Sequence, residues 1–164
     1  MRAHFWNLLA YKRWANFRVF DALKAVPDST LSKPQKIKFG SIIATAQHVL
    51  NMDVVWRARL SGEDHAIRSR TPNSVLPIER LSIEQERLDV WFLNSLVDVN
   101  LDQIVRFTFL DGQRGEMSAS DILIHVVNHG TYHRGHIADM LYDDDVVPPI
   151  TDYPVFVREV QSAD

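Results

Sequence analysis

Four of the chain's seven histidines, His125, His129, His133 and His136, fall inside one short stretch. On a helix turning ~100° per residue they lie at roughly 0°, 40°, 80° and 20°, so the four imidazoles share one narrow stripe. Ile122 and Met140 lie in that stripe and Val126 and Ile137 border it, which turns the imidazoles towards a core. Several imidazoles in an apolar setting cannot all be protonated, because burial and like charge both oppose it. A cation held among neutral imidazoles resolves the conflict, and histidines four apart on a helix converge on one ion. A surface stripe or a hydrogen-bonded core cluster is the plainer account, but four inward imidazoles are hard to satisfy that way. Spacing alone does not say which of the four would bind. A fifth histidine, His48, shares an inward face with Met52, Val55 and Trp56, and standing alone it reads as a satisfied core residue.

The missing partners narrow the chemistry. Residue 130 is glycine, so the histidine pair encloses no glutamate general base, which argues against a metalloprotease of the H-E-x-x-H kind. No Glu-x-x-His tetrapeptide occurs, which argues against a di-iron carboxylate bundle. There is no cysteine, so thiolate ligation and a disulfide framework are excluded, and a reducing cytoplasm suits the chain. The net charge is −3 and the basic residues are scattered, giving no electrostatic footprint for nucleic acid. No segment approaches the ~20 apolar residues of a membrane span, and the first residues lack the apolar core of a signal peptide.

The elements that must position these side chains are helical. Residues 5–26 carry Phe5, Leu8, Leu9, Trp14, Ala15, Phe20 and Leu23 at helical spacing, and Pro27 stops that helix. A polar connection opens at Lys33-Pro34. A second helix, with His48, starts near Ser41 and ends before Gly62. Residues 62–77 hold Gly62, Pro72, Asn73 and Pro77 and read as a long loop. Ser82 with Gln85 reads as a capping box for a third helix, whose start could lie as early as Ile78. The period then changes to alternation through 104–109, and Asp111-Gly112 before 113–117 signals a small hairpin. Ser118 with Asp121 caps the histidine helix, which runs to about Tyr142. Pro148-Pro149 forces a break, and a last short helix over 153–161 offers a Val155, Phe156, Val160 face. Four long helices in one all-α domain, residues 1–164, make a four-helix bundle, a fold that builds cofactor sites from facing helices. Arg134 points away from the histidine stripe, to the surface or to a packing partner. Gly130 and Gly135 cost the helix ~1 kcal/mol each relative to alanine, accounted for by close helix approach or by room beside an ion.

Several stretches together resemble a known family. Tyr11-Lys-Arg-Trp14-Ala15-Asn16, the run from Ser41 to His48 with Asp53 and Trp56, the run from His125 to Gly135, and Pro148-Pro149 with Asp152 are similar to the motifs of the DinB/YfiT-like metalloenzymes. The resemblance covers nearly the whole chain. It implies a four-helix bundle with a divalent ion held by three histidines, one from the second helix and two from the fourth. Carried over, these are His48, His129 and His133. His125 then stands beside the ion as a flanking or alternative ligand. His136 is a departure, since the family commonly has glutamine there; the imidazole is expected to orient a bound water or replace the amide's hydrogen bonds rather than bind the ion.

Three neutral imidazoles leave an ion its full charge and at least one open position, as in a catalytic site. Imidazole suits Zn, Ni, Cu and Fe alike; zinc or nickel is expected first, then iron or manganese. Characterised relatives include thiol-dependent transferases and isomerases, so the resemblance implies a thiol S-transferase acting on a small electrophile with a low-molecular-weight thiol as co-substrate. Tyr11, Trp14, Trp56 and Tyr132 are candidates for the substrate pocket, although aromatics at helical spacing are more often plain core. No catalytic residue is singled out. Metal-dependent hydrolysis by bound hydroxide and a non-catalytic, stress-related metal-binding module are the alternatives. The partners expected are a small-molecule substrate and a second copy of the chain in a homodimer, in the cytoplasm, without nucleic acid or membrane.

Overall fold

The computed structural model describes residues 1–161. Four long helices form the bundle: α1 (Arg2–Lys24), α3 (Ile42–Ser61), α4 (Ile78–Ser95) and α5 (Ala119–Tyr142). A four-residue helix, α2 (Asp28–Leu31), follows Pro27; four residues carry too little periodicity to register in the sequence. The hairpin expected before the fourth long helix is present as β1 (Ile104–Thr108) and β2 (Arg114–Ser118), antiparallel with Val105 opposite Met117. Gly112 closes its turn at φ 88, a left-handed conformation that glycine adopts without strain. The C-terminal segment is α6 (Tyr153–Phe156) continuing into a π-helical turn, Val157–Gln161.

Helix ends follow local chemistry. The Ser41 side chain accepts a hydrogen bond from the Ala44 amide at the start of α3, and Gly62 ends it at φ 70. Ser118 accepts from the Asp121 amide at 3.0 Å and donates to the Asp121 carboxylate at 2.7 Å, which starts α5 where the sequence places it. The Ser82–Gln85 capping box does not form. The helix begins at Ile78 behind Pro77, and Gln85 is buried seven residues further in, donating to Asp53. Of the face expected at the C-terminus, Phe156 is buried, Val155 is half-buried and Val160 is exposed.

In cross-section α1 packs on α4 and α5, and α3 packs on the same two, so α1 and α3 are diagonal. Apolar side chains fill both ends of the bundle. One end holds Phe5, Leu9, Trp56, Phe92 and Phe156; the other holds Phe20, Leu23, Ile42, Leu81 and Met140. Between them lies a polar layer supplied by all four long helices. Lys12 Nζ donates to Asp53 Oδ2 at 2.7 Å and to the Asp89 carboxylate. Asn16 Nδ2 donates to Asp89 at 2.9 Å, and Arg134 Nη1 donates to Asn16 Oδ1 at 2.9 Å. Lys12, Asp53 and Asp89 are at most 2% exposed. Burial pushes the Lys12 ammonium down, but the carboxylates of Asp53 and Asp89 outweigh it and hold the pKa above its ordinary value.

Arg134 therefore does not reach the surface. It does point away from the histidine stripe, but that side of α5 is packed against α1, where its guanidinium also donates to Thr131 Oγ1 at 2.8 Å. The same approach accounts for Gly130: a Cβ built there would lie 3.1 Å from Arg134 Nη1 and 3.7 Å from Lys12 Cε. Gly135 faces open space, so neither close approach nor the pocket requires it.

Removing one partner of a buried ion pair leaves an uncompensated charge and costs roughly 3–5 kcal/mol. Lys12→Met leaves the buried Asp53 and Asp89 carboxylates with only the Arg134 charge against them, and is expected to lower the unfolding free energy by that order, seen as a lower urea midpoint at unchanged slope. Adding Asp53→Asn in that background leaves Asp89 against Arg134, linked through Asn16, and is expected to recover part of the loss. An unshifted midpoint in Lys12→Met would show that the layer carries no stability.

Candidate metal centre

His48 sits on α3 and His129 and His133 on α5, two helices in direct contact. The i, i+4 spacing places the α5 pair one above the other, facing His48. Ring centroids are 5.1 Å apart for His48 and His129, 4.8 Å for His48 and His133, and 4.6 Å for His129 and His133. One ring nitrogen from each lies within 4.8 Å of the others. The shortest separation is 3.1 Å, between Nε2 of His48 and Nε2 of His129. Nitrogens sharing one ion at ~2.0–2.1 Å lie roughly 3–4 Å apart, so closing the triangle takes a side-chain shift of about 1 Å.

The surroundings fix the protonation states. His48 Nδ1 lies 2.6 Å from the Arg70 carbonyl oxygen, an acceptor, so Nδ1 carries the proton and Nε2 presents its lone pair to the α5 pair. Phe39 stacks on the His48 ring at 3.9 Å and 19°. Burial pushes the His48 pKa down, and the nearby charges of Lys38 and Arg70 add to that. His129 and His133 are pushed down to about 3, by burial first and then by neighbouring imidazoles. All three are neutral near pH 7, the form that donates to a metal. His129 Nδ1 and His133 Nδ1 are buried without a hydrogen-bond partner in the protein. Unpartnered buried nitrogens around a converging set of lone pairs fit a cation, and the donor set is compatible with binding a metal ion.

His125 stands one turn earlier on α5, its ring between Trp56 at 4.8 Å and His129 at 5.5 Å. Burial lowers its pKa. His136 lies on the other flank, 5.4 Å from His133 and 4.4 Å from Tyr132. Both line, with the triad, a cavity of about 310 Å³. Of the aromatics expected at the pocket, Trp56 and Tyr132 are among its walls. Tyr11 and Trp14 are not. Lying diagonally opposite α3, their face of α1 meets the C-terminal segment: Tyr11 donates to the Thr151 carbonyl at 2.9 Å, and both rings pack on Phe156. Phe39, the Arg70 carbonyl, and Phe109 and Leu110 of the hairpin turn complete the surroundings. All of these come from irregular segments whose position no periodicity reports.

A family model described as "DinB family" matches residues 1–162. Protein DinB of Bacillus subtilis (strain 168) is 28% identical over 162 residues, covering 92% of this chain and 92% of that one. A crystal structure of a DinB-like protein from Bacillus cereus ATCC 10987 is similar with a TM-score of 0.64 at 17% identity, over 86% of this chain and 91% of that chain. At that identity the likeness speaks for the fold alone.

The lowered imidazole pKa values have a consequence for stability. Between the unfolded value of about 6.5 and the folded value of about 3, the unfolded chain binds protons that folded His129 and His133 do not. Their neutral burial is therefore tolerated above pH 6.5 and destabilises progressively as pH falls below it. Metal-free protein is expected to show a melting temperature that declines from pH 6.5 to 4.5, with a shallower decline in His133→Gln. A flat profile over that window in the unaltered protein would contradict the assignment.

Proposed function

The chain belongs to the DinB family, and we propose that it is a metal-dependent enzyme of thiol S-transferase type, with His48, His129 and His133 holding one divalent ion. The observation that carries this reading is a three-imidazole set, free of carboxylates, opening onto a cavity of about 310 Å³. Structural zinc sites are closed by four protein ligands, whereas three leave a position open. When bound, a divalent ion would supply Lewis acidity, favouring a thiolate over a thiol or polarising an electrophile.

The chain's own residues would do the rest. The Arg70 carbonyl holds the Nδ1 proton of His48 and so aims its Nε2 inward. Phe39 keeps that ring from turning. Burial keeps His129 and His133 neutral and ready to donate. Trp56 and Tyr132 offer apolar faces to a small electrophile and limit water at the site, with His125 and His136 on either flank. The all-nitrogen set favours zinc or nickel, with iron or manganese behind. A low-molecular-weight thiol is the co-substrate. A cytoplasmic homodimer goes with this reading; exposed Trp6 and Phe17, eleven residues apart on α1 and so on one face, favour a second copy as partner. Among the described residues, no helix is long and apolar enough to cross a membrane.

Elemental analysis of purified protein is expected to find about one divalent ion per chain, lost in His48→Ala and in His133→Ala and kept in His125→Ala and His136→Gln, by the donor logic above. Full metal content in the first two variants would refute the three-histidine site. With metal bound, turnover of a reactive aryl halide is expected to require added thiol. Turnover without thiol would favour the hydrolase, and metal binding without any turnover would favour a non-catalytic module.

A further inference from the structure

The cavity beside the triad has three cationic walls: Lys38 ahead of Phe39, Arg59 in the last turn of α3, and Arg70 in the 62–77 loop. No carboxylate lines it. Several basic side chains elsewhere have acidic partners, as Arg13 has Glu86, Arg18 has Glu159, Lys33 has Asp144 and Arg57 has Glu63. Among the described residues, Lys38, Arg59 and Arg70 have no carboxylate within ion-pair distance.

Arg59 is the most constrained of the three. Its guanidinium lies over Trp56 at 4.4 Å and over Phe107 at 4.3 Å, and Nη2 donates to the Thr108 carbonyl at 2.9 Å. The hairpin thus holds this cation against the pocket wall. Burial, and then the nearby charge of Arg70, push the Arg59 pKa down. A half-buried and an exposed charge of like sign share a wall with no carboxylate opposite them, an arrangement that an anion relieves. Lys38 and Arg70 also depress the His48 pKa, so they lie near enough to act on the triad. A divalent ion there would add further positive charge. The buried Asp53 opposes the His48 shift less strongly than Lys38 and Arg70 produce it, and its Oδ2 already accepts from Lys12 and Gln85.

We infer that the pocket selects a substrate with a carboxylate at one end, bound by Arg59 and Arg70 with Lys38 at the mouth, and with its reacting atom turned towards the histidines. The planar, fixed fork of Arg59 suits a carboxylate, and neutral molecules of the same size leave the three charges unanswered. This rests on the reading of the triad as a metal centre, and the test separates the two.

The probes are 3-mercaptopropionate and its methyl ester, titrated calorimetrically into metal-loaded protein whose metal content is measured in parallel. The carboxylate is expected to bind at least about tenfold more tightly, and added salt is expected to weaken it alone. The preference should fall to about twofold or less in Arg59→Gln/Arg70→Gln. Because Arg59 also packs on aromatics, Lys38→Gln/Arg70→Gln, which changes only exposed side chains and keeps the Arg70 carbonyl, is expected to cut the preference several-fold. Equal binding of the two probes, binding of neither, or an undiminished preference in both double variants overturns the inference. Stoichiometric metal without the preference sinks the inference alone; the preference without metal sinks the metal reading alone.

Discussion

Nε2 of His48 and Nε2 of His129 lie 3.1 Å apart, and the proton count there constrains the whole site. The proton of His48 is committed to Nδ1 by the Arg70 carbonyl, so its Nε2 is a lone pair. If His129 donates from Nε2, its own Nδ1 becomes a bare acceptor, buried without a partner. If it carries the proton on Nδ1, two lone pairs face each other and that N–H is buried unpaired instead. Protonating the cluster is resisted by burial and by the neighbouring rings, which hold His129 and His133 near a pKa of about 3. No arrangement of protons satisfies every nitrogen. A shared cation removes the clash between the facing lone pairs.

The rest of the bundle keeps that option open by keeping carboxylates away. Asp53 follows His48 by five residues on α3, yet it is bonded to Lys12 and Gln85 in the polar layer between the two apolar ends. Arg134, next to His133 in sequence, completes the layer from α5 through Asn16. The layer is charge-balanced, with Lys12 and Arg134 against Asp53 and Asp89, so burying it need not leave a net charge. An ion on the adjacent all-imidazole set would keep its full positive charge, facing a pocket whose other charged walls are cations. The proposed electrophilic chemistry and the inferred anion selection both rest on this one division of charge.

Much of this was legible in the sequence because it follows from helical period and local capping. Ser41, Gly62 and Ser118 mark helix ends through their own backbone and side-chain hydrogen bonds, and the α5 stripe is a matter of ~100° steps. Resemblance to the family added His48, which no local rule separates from a core histidine. What periodicity could not report was which faces meet. Arg134 points away from the stripe as expected, yet that direction leads into α1 rather than to water. Tyr11 and Trp14 pack on the C-terminal segment instead, because α1 lies diagonally across from α3. Phe39, Arg70 and the hairpin turn reach the site from loops, where position depends on tertiary packing alone.

The most direct test of the central claim is X-ray absorption of the metal-loaded protein before and after adding a small thiol. Three imidazole nitrogens should appear, with the outer-shell scattering of their rings, together with lighter ligands of which one is replaced by sulfur when thiol is added. A shell of oxygen ligands without imidazole scattering would contradict the three-histidine centre. A complete four-nitrogen shell that thiol leaves unchanged would contradict its open position.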